Sequence, residues 1–184
     1  MSTGFKNNNY GNINYINGTN WEGSTGLTTI TADGQKNIIF VNPIYGIRAL
    51  MVIIRTKIGR NLTNTFDILR SYSPGQSEKE LIQRANYINK KYFNNAPPQD
   101  DVLDLGDESI IGLTKGIIET EIPEANQVPD KYYEVALKYF NNGDDQEAAT
   151  YTNQIKTSTF AGINIWLILA IVGAGLYMIN KKKK

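Results

Sequence analysis

The chain has 184 residues, 41% of them hydrophobic, and a formal charge of +1. This length suits one domain with attachments, the apolar fraction suffices for a core, and the near-zero charge offers nucleic acid no basic field. Cysteine and histidine are both absent, which excludes disulfides, thiolate metal sites and Ser-His-Asp or Cys-His catalysis, argues against a zinc enzyme, and leaves us expecting neither metal nor cofactor.

Residues 1–41 read as loops and short strands. Asn17-Gly18 and Asp33-Gly34 are turn signals, and 28–31 and 37–41 flank the second as a hairpin. Asn42-Pro43 opens a helix, Asn42 as its cap and Pro43 at its first position. Ile47, Leu50, Ile54 and Ile58 follow at helical spacing, and Gly59 can end the run. A short helix is expected over 63–72, with Phe66 and Leu69 inward, broken by Ser73-Pro74-Gly75. Ser77 and Glu80 then form a capping box before a helix burying Leu81, Ala85 and Ile88.

By composition, 94–106 is a linker that opens NNAPPQDD. Asp107 is placed to cap the next helix, whose inward positions are Ile110, Ile111, Thr114, Ile117 and Ile118, ending near Glu121-Ile122-Pro123. A Tyr-rich helix over 130–139 buries Val135, Ala136 and Phe140. On this division 1–93 and 107–142 are two parts of one domain, 143–160 is a polar stalk, and 161–180 is a transmembrane helix. The last reads AGINIWLILAIVGAGLYMIN without a charge. Twenty helical residues reach roughly 30 Å, about the hydrocarbon thickness of a bilayer. Trp166 and Tyr177 lie near its ends, and Lys181, Lys182, Lys183 and Lys184 form a basic tail suited to headgroup phosphates. The opening MSTGFKNNN has no apolar signal-peptide core, so a single-pass C-terminal anchor is expected.

Several stretches share an order with known proteins. NNNYGNI at 7–13, Trp21-Glu22-Gly23, Phe40 followed by YGIRAL at 45–50, NTFDIL at 64–69, Tyr72-Ser73-Pro74, Asn86-Tyr87-Ile88 and LTKGIIE at 113–119 resemble a family of phage and prophage virion structural proteins. That family carries NNNPGNI, WxG, YGIRAL, NTIxxII, WAP, YI and a last helix of the pattern LVxAIxxE. The resemblance spans roughly residues 4–140. This chain departs at Tyr10, where the family has Pro, and at 75–78, where GQSE stands for ENDT. A membrane segment is not usual in the family. Asn9 to Ile13, Trp21-Glu22-Gly23 and Phe40 are also similar to the hairpin elements of bacterial glucosaminidases and lytic transglycosylases. In those enzymes the helix bearing the catalytic Glu comes before the hairpin. Here it comes after, and circular permutation is one account of that order.

The resemblance implies a mainly α, lysozyme-like α+β domain with a small β-hairpin, and a peptidoglycan-cleaving activity of the lytic transglycosylase type. One carboxylic acid suffices for such chemistry, because the sugar's own hydroxyl closes onto the anomeric carbon. Glu119 is the implied acid, with Glu121 and Glu22 as runners-up. Tyr10, Asn12, Trp21 and Tyr45 are the implied glycan-binding residues. The plainer readings are a solvated Glu119 at a helix end, a packing role for Trp21, and an Arg48–Asp67 ion pair. The expectation for the whole chain is a membrane-anchored phage virion protein acting on peptidoglycan as the phage enters its host. Its partners would be the virion or host membrane, capsid proteins and, through the lysine tail, the packaged genome. The alternative is a non-catalytic minor capsid protein tying membrane to shell.

Overall fold

The computed structural model describes residues 1–30, 34–100 and 102–143. Among them the chain forms six α-helices and one two-stranded antiparallel sheet, a mainly helical α+β arrangement. None of these helices is long and apolar enough to cross a membrane. The expected stalk, membrane helix 161–180 and basic tail lie outside the described residues.

The central helix is α2 (Pro43–Ile58). The Asn42 side chain accepts from the amides of Ile44 (2.9 Å) and Tyr45 (3.3 Å), and Pro43 gives up no amide that a first turn could use. Ile47, Leu50, Met51 and Ile54 have no exposed surface. Strand β2 (Ile38–Phe40) and helices α3 (Thr65–Tyr72), α5 (Asp107–Glu121) and α6 (Asp130–Asn142) all pack on α2, while α4 (Glu78–Tyr92) packs on α3 and α5. The stop of α2 falls where expected, with Gly59 as its C-cap. Gly59 stays right-handed at φ −62°, and the turn is made by Asn61 at φ 65°, after which the Leu62 amide closes on the Lys57 carbonyl at 3.2 Å.

Helix α3 is capped by Asn64, which accepts from the Asp67 amide at 2.8 Å, and α4 begins with the Ser77–Glu80 capping box. Asp107 does not cap α5. It is the first helical residue, Gly106 is the cap, and the turn is organised by Asp104, which accepts from the Gly106 amide and the Ser109 hydroxyl, each at 2.9 Å. Within 94–106 the Pro98 carbonyl accepts from the Phe66 amide (3.1 Å) and the Leu103 amide donates to Thr63 (2.7 Å), fastening the segment to the start of α3.

The hairpin is shifted from its expected position. The first strand is β1 (Ser24–Leu27), not 28–31, with Ser24, Gly26 and Leu27 opposite Phe40, Ile39 and Ile38 and a bulge between Ser24 and Gly26. Thr28 still closes the ladder, its amide donating to Asn37 and its hydroxyl accepting from the Asn37 amide, both at 2.9 Å. Burial explains the shift: Ile38 and Phe40 enter the core, whereas all of β1 is exposed, so apolar content at 28–31 gains nothing by pairing. The other side of the β2 region is taken by the N-terminal segment, where the Ile38 amide donates to Ile13 (3.2 Å) and the Tyr15 amide to Lys36 (2.7 Å).

That segment is ordered by its asparagines. A single-turn helix, α1 (Thr3–Lys6), precedes it. Asn9 is fully buried; its amide donates to the carbonyls of Ile13 and Ile38, each at 2.9 Å, and its oxygen accepts from the Ile13 amide at 2.7 Å. Asn8 and Asn12 hold φ of 55° and 51°, a left-handed geometry that Asn tolerates. The Asn8 carbonyl rests against Gly46 of α2, where any Cβ would overlap it. The loop therefore lies directly on the first turn of the central helix.

Candidate functional site

Five pieces of chain, one of them the stretch with Gln35 and Asn37 before β2, enclose an open cleft of about 880 Å³. The N-terminal loop contributes Asn12 and Trp21, α2 contributes Lys57, the end of α3 and the turn after it contribute Tyr72 and Gln76, and the last residue of α5 is Glu121. Glu121 is the one carboxylate among the lining residues; most of the other polar groups are amides and hydroxyls.

Glu121 is held from two sides. Arg84 of α4 donates to Oε1 at 2.5 Å, with the two side chains 11% and 16% exposed. Asn12 approaches Oε2 at 3.3 Å and the Glu121 carbonyl at 3.5 Å. Arg84 also donates to Gln76 Oε1 (2.6 Å), Thr120 Oγ1 (3.2 Å) and Ser73 Oγ (3.3 Å), so one guanidinium ties the carboxylate to the 73–76 turn. Its planar fork of five donors suits such bridging. The hydroxyl of the half-buried Tyr72 donates to the Gly11 carbonyl; desolvation and then the Glu121 charge push its pKa up, so it stays a neutral donor.

The expected acid, Glu119, is elsewhere. Two residues apart on a helix is about 200° of rotation, so Glu119 and Glu121 face opposite sides of α5. Glu119 accepts from Lys91 Nζ (2.7 Å), Tyr87 (2.9 Å) and Tyr92 (2.9 Å). Partial burial alone would raise its pKa, but the hydrogen bonds from Lys91, Tyr92 and Tyr87 outweigh burial and hold the carboxyl below its ordinary value. A proton donor near neutral pH needs the opposite shift.

Glu22 is also outside the cleft lining. It pairs with Arg48 at 3.4 Å, in place of the expected Arg48–Asp67 pair; Asp67 instead accepts from the Asn64 side chain at 2.8 Å. The Arg48 guanidinium lies 4.4 Å over the Tyr139 ring, and Tyr45 meets Tyr139 edge-on at 5.7 Å. Tyr45 is buried beneath Gly23, whose φ of 73° and missing Cβ leave room for the ring, so the Gly of the WxG stretch serves packing. Tyr10 is buried and stacked on Phe5 at 5.2 Å. Of the sequence-derived site residues the cleft thus unites Asn12, Trp21 and Glu121, and it leaves out Glu119, Glu22, Tyr10 and Tyr45.

Arg84, Gln76 and Lys57 were not anticipated at the site. A signal existed for Arg84: it falls three residues after Leu81 and four before Ile88, beside the buried stripe of α4, where an arginine needs a partner. Neither family models nor curated proteins yield a match to this chain, so its chemistry is argued from this geometry.

Proposed function

We propose that the cleft binds a peptidoglycan strand and that Glu121, rather than Glu119, is the acid of a lytic transglycosylase-type cleavage in a lysozyme-like, membrane-anchored phage virion protein. The observation that carries this reading is a lone carboxylate in an open cleft shared with Trp21, Asn12 and Gln76. Aromatic faces stack on pyranose rings, and amides match sugar hydroxyls and acetamido groups. Protonated Glu121 gives its proton to the glycosidic oxygen as the C1–O bond breaks. The sugar's C6 hydroxyl then closes on C1 and returns a proton to the carboxylate, so no second carboxylate and no water are consumed. Asn12 steadies the carboxyl group. The sequence resemblance, with its possible permutation of the catalytic helix, supports the same reading, and the apolar run at 161–180 with its lysine tail supports the membrane anchor.

A second reading is favoured by one contact. Arg84 holds Glu121 as a charged pair, which suits a domain that binds glycan or capsid and ties the membrane to the shell without cleaving. Zymography of the detergent-solubilised full chain separates the two. Clearing that falls about 10²–10⁴-fold in Glu121→Gln and persists in Glu119→Gln supports the enzyme. No clearing at any pH or salt, with strand binding retained, establishes the structural role.

A further inference from the structure

Lys57 is the one cation among the residues lining the cleft, and the proposed cleavage leaves it without a task. It lies near the C-terminal end of α2, and its Nζ donates to the Ser71 hydroxyl at 2.7 Å and the Ser71 carbonyl at 3.0 Å. A lysine ammonium has three donors, so one N–H remains available. Both of its partners are neutral, and no ion pair among the described residues involves Lys57. Partial burial and then the nearby Arg60 charge lower its pKa. The remaining N–H is open to an anionic acceptor in the cleft. The placement also connects it to the chemistry. Ser71, which holds Lys57, is followed by Tyr72, whose hydroxyl lies within the field of Glu121 and Arg84. The cation and the acid both line the same cleft.

We infer that Lys57 is a specificity-determining residue, forming a carboxylate subsite that selects a glycan with an acid-bearing sugar over a neutral one of the same length. The ligand class is a lactyl-ether amino sugar, or a strand whose sugars carry short acidic peptides, rather than an unsubstituted N-acetylglucosamine chain. This inference rests on the glycan reading of the cleft. Position explains the division of labour: Glu121 is engaged by Arg84 and Asn12, whereas Lys57 keeps a free donor in the same cleft.

An NMR titration of the full chain in detergent tests it with three probes: the disaccharide of N-acetylglucosamine and N-acetylmuramic acid, its methyl ester, and chitobiose. The expected result is about ten-fold tighter binding of the free acid than of either neutral probe, as one charge-assisted hydrogen bond supplies. The preference should shrink as salt rises. Lys57→Met should bring the acid down to the level of the ester and leave the neutral probes unchanged, and Lys57→Arg should retain the preference. Equal binding of all three by the wild type overturns the Lys57 subsite while leaving the glycan cleft standing. So does a Lys57→Met protein that keeps the preference or weakens on all probes alike. Binding of none of the three overturns the glycan cleft itself, and the subsite with it.

Discussion

Asn9 offers the sharpest test of how the N-terminal loop is held. Its side chain has no exposed surface and makes three hydrogen bonds, at 2.9, 2.9 and 2.7 Å, to the backbone of Ile13 and Ile38. Asn9→Ala removes all three at once. The Ile13 amide loses its partner inside the protein, and the Ile13 and Ile38 carbonyls each lose a donor, although Ile13 still accepts from the Ile38 amide. An orphaned buried polar group costs about 1–3 kcal/mol, so the expected loss is about 2–4 kcal/mol. For a chain of this size that is a fall in Tm of about 5–12 °C. Asn9→Asp keeps the shape but turns the two donors into a carboxylate facing carbonyls, and should cost at least as much. The assay is urea and thermal unfolding followed by circular dichroism, with the exposed Asn17→Ala as reference. An Asn9→Ala protein within about 0.5 kcal/mol of that reference would refute the claim that side-chain hydrogen bonds shape this loop.

Breaking the largely buried Arg84–Glu121 pair from one side should be worse than removing it whole. Arg84→Met strands the carboxylate and should cost about 2–4 kcal/mol, while Arg84→Met with Glu121→Gln recovers part of that in a double-mutant unfolding cycle. Gly46→Ala forces a methyl group into the Asn8 carbonyl and should destabilise by about 1–3 kcal/mol or more, with loss of glycan binding as the loop lifts from α2. Glu119 titrates below its ordinary value in the fold, so the folded state favours its ionised form. Its contribution is complete above the ordinary value of 4.5 and is lost as pH falls through the lower folded value. The stability gap between wild type and Glu119→Gln should therefore close below that pH in unfolding curves, and a gap that widens on acidification would contradict the geometry.

Much of the helical framework was legible along the chain. Asn42-Pro43 and the Ser77–Glu80 box act within one turn of the residues they cap, and the apolar spacing of α2 records which face is inward. Such signals are local, so sequence carries them. The cap of α5 was misplaced by one residue because Gly106 competes with its neighbour Asp107, and the outcome depends on the path of the chain that enters the helix. The hairpin slipped because its first strand buries nothing, which leaves its register to contacts from 13–15 on the other side.

By itself the sequence narrowed the class of chemistry open to this protein: without histidine or cysteine, any catalytic group had to be a carboxylate, a tyrosine, a lysine or a hydroxyl. It also determined that the 7–13 stretch, with left-handed Asn residues, could make a tight and ordered loop. Only the tertiary structure decided which carboxylate meets that loop. Glu119 and Glu121 are two positions apart in one helix, equivalent in composition and nearly so in motif. The rotation of α5 against α4 sends the first toward Lys91 and the tyrosines, and the second toward Arg84, Asn12 and the cleft. Helical phase is periodic and local, but its absolute setting is fixed by packing.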